Sequence, residues 1–387
     1  MYWTVRLSGG PQRVNHAAVI IGDKVYSFGG YCSGENYRLQ RPIDVHILNT
    51  VTLRWKVFLP PASSKHEAPY LRYGHTAVVY GTKVYVWGGR NDDSACNKLY
   101  CFDTENLAWS CIKTQGIRPG ARDGHSACVI GDDMYIFGGF EDDEDRFSQD
   151  VYKLCLRTFT WSYVYTTGDP PSYRDFHSAT AIGNRMFVFG GRGDQTAPQH
   201  SMMEIYCNSI VYLDVVEKKW CKPATTGDIP VGRRSHSAFV YKDHIYIFGG
   251  FNSLKGMHFN DLHRFNPYTM TWQCLQPLGE PPSKRRRQSC VVSGSRMYLF
   301  GGTSPVREDE LPPPNYYPDH DHLESRLNDH DDLHILDFEP SLQTLCLMSV
   351  IKHQLDITYL PDILKWEFYA MTTHNSTIQR LKSSNQG

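Results

Sequence analysis

Short apolar runs separated by polar turn residues fill most of the chain. One stretch sets the pattern. Arg122-Asp123-Gly124-His125-Ser126-Ala127 opens a first run, Gly131-Asp132-Asp133 turns it, and Met134-Tyr135-Ile136-Phe137 follows. Asp150-Val151-Tyr152-Lys153-Leu154 comes next, then a segment carrying Trp161. Brief runs rich in β-branched and aromatic residues, bounded by Gly, Asp, Asn or Lys, predict strands rather than helices. Each such unit has room for four.

The unit recurs. Gly-Gly pairs follow an apolar run at Gly29-Gly30, Gly88-Gly89, Gly138-Gly139, Gly190-Gly191, Gly249-Gly250 and Gly301-Gly302, in steps of 50 to 59 residues. Thirteen residues before each pair stands His16, His75, His125, His177, His236 or, once, Gln288. Three residues earlier come Arg13, Arg72, Arg122, Arg174, Arg233 and Arg285, and Trp55, Trp109, Trp161, Trp220 and Trp272 close five units. Paired glycines at a strand end let neighbouring backbones approach closely. Four strands in ~50 residues, six times over, predict an all-β, six-bladed β-propeller across residues 1–338. No tryptophan strand follows Asp332-Leu333-His334-Ile335-Leu336-Asp337, so the N-terminal Tyr2-Trp3-Thr4-Val5-Arg6-Leu7 is expected to complete the last blade and remove two exposed sheet edges.

Composition narrows the function. Of 387 residues, 40 are Lys or Arg and 41 are Asp or Glu, a net charge of −1. That balance speaks against direct nucleic-acid binding, which usually needs a strongly basic domain. No apolar run reaches the ~18 residues of a membrane span, and Met1-Tyr2-Trp3-Thr4-Val5-Arg6 lacks a signal-peptide layout. Eleven cysteines are then expected as buried thiols in a reducing compartment, cytoplasmic and nuclear, where the Asn375-Ser376-Thr377 sequon carries no meaning. No nucleophile elbow, P-loop, H-E-x-x-H or C-x-x-C is present, so no catalytic residue, metal or cofactor is expected. Asp319-His320-Asp321-His322, Asp329-His330-Asp331-Asp332 and Glu141-Asp142-Asp143-Glu144-Asp145 read as solvated loops, and Lys284-Arg285-Arg286-Arg287 as folded surface.

Strand counting puts the loops before each first strand on the same face as the segments after each Gly-Gly. That face, walled by long loops at about 192–208 and 303–331, is the expected binding mouth. Its arginines split into two groups. The six register arginines recur in every blade and are expected to bond between blades. Arg192, Arg234, Ser235 and Arg286 lie off the register and are the expected ligands of an anion, since guanidinium groups hold carboxylates bidentately. Arg90 adds to one pole, while Asp123 and Asp175 make an opposing acidic one suited to a basic side chain. The register histidines are expected as hydrogen-bonded core groups.

Residues 339–370 leave the repeat. Leu342, Leu345, Cys346 and Val350 share a helical face, with Ser341 as N-cap. Residues 371–387, ending in Gln386-Gly387, are polar and weakly periodic, as a flexible tail should be.

The repeat closely resembles the kelch family over residues 1–338. The order Ser341-Leu342, Cys346, Val350 resembles a BC-box, and Leu360-Pro361, Leu364, Phe368 resembles a cullin-2 box. Together they resemble the kelch substrate receptors of cullin-2 RING ubiquitin ligases that recognise C-terminal degrons. The resemblance implies elongin B, elongin C, cullin-2 and its RING subunit as partners, and substrate proteins ending in glycine. Arg192 matches a pocket arginine of that subgroup, and Arg234-Ser235 fall where it places a serine and a tryptophan; its second loop arginine has no counterpart in Gly193-Asp194-Gln195-Thr196. Gln386-Gly387 would be a self-degron, giving self-association through the tail. Two alternatives stay open: a chromatin- or cytoskeleton-associated kelch scaffold, and a copper oxidase of the kelch-like type, for which no Tyr/His/Cys cluster assembles.

Overall fold

Because runs such as Met134-Tyr135-Ile136-Phe137 are apolar at every position and not at alternate ones, each sheet needs cover on both faces, which stacking the sheets side by side supplies. The computed structural model, which describes residues 1–38, 41–61, 67–306 and 327–375, has this arrangement. Six sheets with four antiparallel strands each are its blades; the third runs Ser126–Ile130, Asp133–Phe137, Val151–Cys155, Thr160–Tyr163 in spatial order, and the third and fifth each gain a two-residue parallel strand at the outer edge, Gln115–Gly116 and Thr226–Gly227. The innermost strands are Ala17–Ile21, Tyr73–Tyr80, Ser126–Ile130, Ser178–Ile182, Ser237–Tyr241 and Ser289–Ser293. Each packs against the next, and the last against the first, so the ring closes. Tyr2–Leu7 completes the sixth blade by pairing antiparallel with Leu333–Asp337.

The repeated residues are the joints between blades. Gly138 has φ +64°, and a Cβ there would lie 2.8 Å from both the Arg174 carbonyl oxygen and His177 Cε1 of the next blade. That missing side chain admits the histidine, whose ring packs on Phe137 at 5.2 Å while Nε2 shares a hydrogen bond with Ser126 Oγ at 2.7 Å. His125 with Thr76 and His236 with Ser178 repeat the bond at 2.8 Å. Gln288 keeps the joint by donating to the Phe248 carbonyl at 3.1 Å. Burial pushes His236 down to about 3 and His177 well below its ordinary range, so these rings are neutral core groups.

The register arginines work differently from the expectation. Their guanidinium groups bond within the blade, Arg122 Nη1 donating to the Gly138 carbonyl at 3.0 Å and Arg233 Nη1 to that of Gly249 at 3.0 Å. It is the backbone that crosses: the Arg174 carbonyl accepts from Gly139 N–H and that of Arg233 from Gly191 N–H, at 2.9 and 2.8 Å. Carboxylates then neutralise the buried guanidinium groups, Asp261 for Arg233, Asp332 for Arg285 and Glu141 for Arg122. Glu141 and Asp332 are therefore structural counter-ions, not members of solvated loops. The eleven cysteines are free thiols, but only Cys32, Cys96, Cys101 and Cys128 are buried, while Cys111 and Cys346 face solvent.

Two helices, α1 (Leu342–Lys352) and α2 (Asp362–Thr372), follow the last blade. Ser341 caps α1, its Oγ accepting from Thr344 N–H at 3.1 Å. Leu347, Met348, Ile351, Leu364, Phe368 and Met371 pack on the core shared by blades six and one, among Leu7, Trp55 and Leu333. Asn375 pins the end. Its Oδ1 accepts from Trp55 N–H, its Nδ2 donates to the Leu53 carbonyl, and its N–H donates to the Ser8 carbonyl. Residues 371–375 thus belong to the packed arm rather than to a free tail, and buried Asn375 offers no side chain to the sequon. Gln386, Gly387, Asp319-His320-Asp321-His322 and the loop at 307–326 lie outside the described residues.

Candidate functional site

The mouth is built on a closed backbone ring. The residue before each register position (Asn15, Gly74, Gly124, Phe176, Ser235 and Arg287) has φ between +49° and +67°. Each N–H donates to the carbonyl of its counterpart in the preceding blade, and Asn15 N–H to Arg287, in six bonds of 2.7–3.1 Å. The preceding residues face the segments after Gly-Gly in antiparallel pairs. These are Val14 with Tyr31, Tyr73 with Arg90, Asp123 with Phe140, Asp175 with Arg192, Arg234 with Phe251, and Arg286 with Thr303. The predicted convergence of the two loop sets is therefore met, one pair per blade.

Two phenylalanines gather the arginines. Arg192 and Arg287 each lie 5.9 Å from the Phe176 ring, and Arg234 and Arg286 lie 5.6 and 4.5 Å from that of Phe251. Such stacking fixes the plane of a guanidinium group. Ser235 adds a hydroxyl that is buried with no hydrogen-bond partner among the described residues, as are Arg287 Nε and His258 Nε2. A buried polar group without a partner costs about 1–3 kcal/mol, so three around one spot point to a polar ligand. Burial and then Arg286, Arg287 and Arg234 push His258 down to about 4, which records how positive this spot is.

The charges do not separate into the two expected poles. Asp175, 1% exposed, holds Arg192 from beneath, accepting from Nε at 3.1 Å and from Nη2. It is placed to position that guanidinium, not to read a ligand side chain. Glu204, on the hairpin of Gly193–Asp194 and Glu204–Ile205, reaches Arg234 Nη1 at 3.0 Å and Arg192 Nη1 at 3.5 Å. Asp123 differs. It is 6% exposed, and burial followed by repulsion from Asp175 pushes its carboxyl up to about 7 despite Arg90 and Arg192. Glu204, Phe251, His258 and Tyr31 (whose hydroxyl meets Arg287) were missed from sequence. Their one signal was position, just after a Gly-Gly or deep in a long loop.

Residues 74–302 match the KLHDC2/KLHL20/DRC7 Kelch-repeats domain, and residues 12–58 match the Kelch motif. Over 391 aligned positions the chain is 52% identical to Kelch domain-containing protein 3 of Rattus norvegicus, covering 100% of this chain and 99% of that protein. It belongs to the Kelch domain-containing protein 3 family. The Homo sapiens member is 51% identical over the same span, and Kelch domain-containing protein 2 of Bos taurus is 30% identical over 341 positions and 78% of each chain. Membership in this kelch family agrees with the expectation of a chain without catalytic chemistry. Among the described residues no three His, Cys, Asp or Glu side chains could share a metal ion. No described helix is long and apolar enough to cross a membrane.

The kelch propeller carries a second surface on its helical arm. Leu342 is 78% exposed, and Leu345 and Cys346 also face outward, so the face read from sequence points away from the propeller; Val350 is half-buried at its edge. The second motif divides. Pro361 is exposed, but Leu360, Leu364 and Phe368 are half-buried against the propeller core, and Ile363, Trp366 and Tyr369 take the outer side of α2.

Proposed function

We propose that the chain is the substrate-recognition subunit of a cullin-2/elongin B–C RING ubiquitin ligase. Its propeller mouth binds proteins ending in glycine and presents them for ubiquitination and proteasomal degradation, in cytoplasm and nucleus. The observation that carries this reading is the gathering of four arginines on Phe176 and Phe251, in the blade before Ser235 and in its own, where the Ser235 hydroxyl is buried without a partner among the described residues. A chain-terminal carboxylate supplies the acceptors that such donors need, and glycine brings no side chain to clash with Phe176 or Phe251. In this reading Arg192, Arg234 and Arg286 bind the carboxylate with Ser235. Asp123 receives a basic residue upstream, and Asp175 orients Arg192.

The adaptor half rests on the outward face of α1. Leu342 and Cys346 lie one turn apart and present an apolar edge that the propeller leaves uncovered. Elongin C is proposed to cover that edge, with cullin-2 contacting Pro361 and the outer side of α2. A double substitution, Leu342→Asp with Cys346→Asp, should abolish co-purification of elongins B and C at an unchanged thermal midpoint. Undiminished elongin capture by the folded variant would sink the ligase reading and leave a kelch interaction scaffold. Self-association through Gln386-Gly387 is proposed on the same chemistry, and a chain extended past Gly387 should lose it in sedimentation.

A further inference from the structure

We propose that Glu204 is a tethered internal carboxylate that competes with the ligand's terminal carboxylate for Arg192 and Arg234, and so sets how tightly the mouth reads it. This rests on the carboxylate reading of the mouth. The placement is specific. Oε1 lies between two guanidinium groups from different blades, 3.0 Å from Arg234 Nη1 and 3.5 Å from Arg192 Nη1. Oε2 accepts from the Tyr206 hydroxyl at 2.7 Å and from Ser253 Oγ. Four donors converging on one carboxylate make a complete oxyanion shell, of the kind a chain terminus would need. These contacts hold Glu204 below its ordinary pKa range, so it is charged at neutral pH.

Charge arithmetic gives the consequence. Arg192 and Arg234 bear two positive charges, and Asp175 and Glu204 two negative ones, so this side of the mouth is neutral rather than cationic. An incoming carboxylate must share or displace Oε1. Asp175 cannot yield, because it is buried beneath Arg192 and paired with it through both oxygens. Glu204 can, for it sits on a two-residue ladder at the mouth with its side chain 17% exposed. The hairpin carrying it is braced separately: Asp194 accepts from the Thr196 and Ser201 amides at 2.8 and 2.7 Å, so the loop does not depend on Glu204 for its shape. Weak anions are thereby excluded, and only a carboxylate with further contacts in the mouth displaces the internal one.

The test compares wild type with Glu204→Gln, which keeps shape and removes charge. A labelled octapeptide ending in Lys-Gly is titrated as the free acid and as the C-terminal amide, by fluorescence anisotropy at fixed ionic strength. The acid-to-amide affinity ratio is expected to rise about fivefold or more in the variant, since charge-assisted bonds to both arginines become available to the ligand. A ratio that falls or stays level, with acid preferred in both proteins, overturns the role of Glu204 and leaves the carboxylate reading intact. A ratio near one in both proteins overturns the carboxylate reading itself. Should Glu204→Gln lose the thermal transition, Glu204→Asp carries the same test, its shorter carboxylate falling away from the guanidinium groups, with a smaller rise expected.

Discussion

Replacing Asn375 with alanine asks whether one buried amide fastens the helical arm to the propeller. Oδ1 accepts from Trp55 N–H and Nδ2 donates to the Leu53 carbonyl, both at 3.2 Å, and the residue is 5% exposed. Alanine leaves the Trp55 N–H at the outer edge of blade one without its partner and takes one donor from the Leu53 carbonyl, which keeps Arg54 Nη1 at 3.2 Å. One such orphaned group costs about 1–3 kcal/mol, so the substitution comes to about 2 kcal/mol. The cost is paid locally. Blades one and six keep their own ladders, and what is weakened is the seat of α1 and α2, which is free to lift as a unit. At 1.4 kcal/mol per factor of ten, 2 kcal/mol is about thirty-fold in that opening equilibrium. Hydrogen exchange read by mass spectrometry should therefore show amides of residues 342–372 exchanging about thirty-fold faster or more, with the blade strands at wild-type rates. If α1 binds elongin C as proposed, that binding should persist, because Leu342 and Cys346 face away from the seat. Protection of α2 within threefold of wild type would refute the clasp. Equal loss in every blade would refute its locality.

Two further perturbations follow from the site and the joints. Asp123→Asn should stabilise the protein at pH 8 and leave it unchanged at pH 4. An acid raised from 3.8 to about 7 keeps its proton folded while the unfolded chain gives it up, so wild-type stability falls as pH climbs through that window and levels off above it. A thermal-midpoint difference between variant and wild type that is the same at both pH values would refute the shift, to which Asp175, Arg90, Arg192 and Asp142 contribute. Gly190→Ala should lower stability by more than about 3 kcal/mol, read as a urea midpoint at constant slope. Its φ is +68° and the new Cβ would sit 2.5 Å from the Arg233 carbonyl oxygen and 2.7 Å from His236 Cε1. A midpoint within experimental scatter of wild type would show the joint is softer than the geometry implies.

The fold was legible because each blade must solve the same packing problem. Gly138 is absent of side chain so that His177 fits, and His177 is there because Ser126 and Phe137 receive it; the hydroxyl bond recurs at His125 and His236, while His16 and His75 stand at the same register without it. Periodicity also found the helices, yet it could not say which way they turn. Leu342, Leu345 and Cys346 form one apolar face of α1, and Leu347, Met348 and Ile351 form another; only the propeller seam at Leu7, Trp55 and Leu333 decides which is covered. In α2 it was the cullin-2-box resemblance that named Leu364 and Phe368 for a partner, and both pack half-buried on the seam. Charges were harder still. Asp175 and Arg192 are seventeen residues apart yet pair side by side within one blade, so a residue assigned to the acidic pole is the support of one assigned to the cationic pole.

That asymmetry follows from what the ring demands at each position. At the residue before the histidine it requires a left-handed backbone and a closed circle of hydrogen bonds, and nothing of the side chain beyond fitting the mouth. The six blades accordingly place Asn15, two glycines, Phe176, Ser235 and Arg287 on identical backbones. Positive φ in four non-glycine residues costs about 1–3 kcal/mol each, and the circle of bonds offsets this whichever side chain is attached. Selection on the mouth can then act on chemistry without disturbing the fold. A repeat therefore reveals its binding residues only by contrast, as the places where a shared left-handed backbone, φ between +49° and +67°, carries side chains that differ. Glu204 escapes even that contrast, because the hairpins that follow Gly-Gly differ in length from blade to blade: Gly193–Asp194 with Glu204–Ile205 spans more chain than Phe140–Glu141 with Arg146–Phe147 or Phe251–Asn252 with Met257–His258, so no residue of those aligns with it.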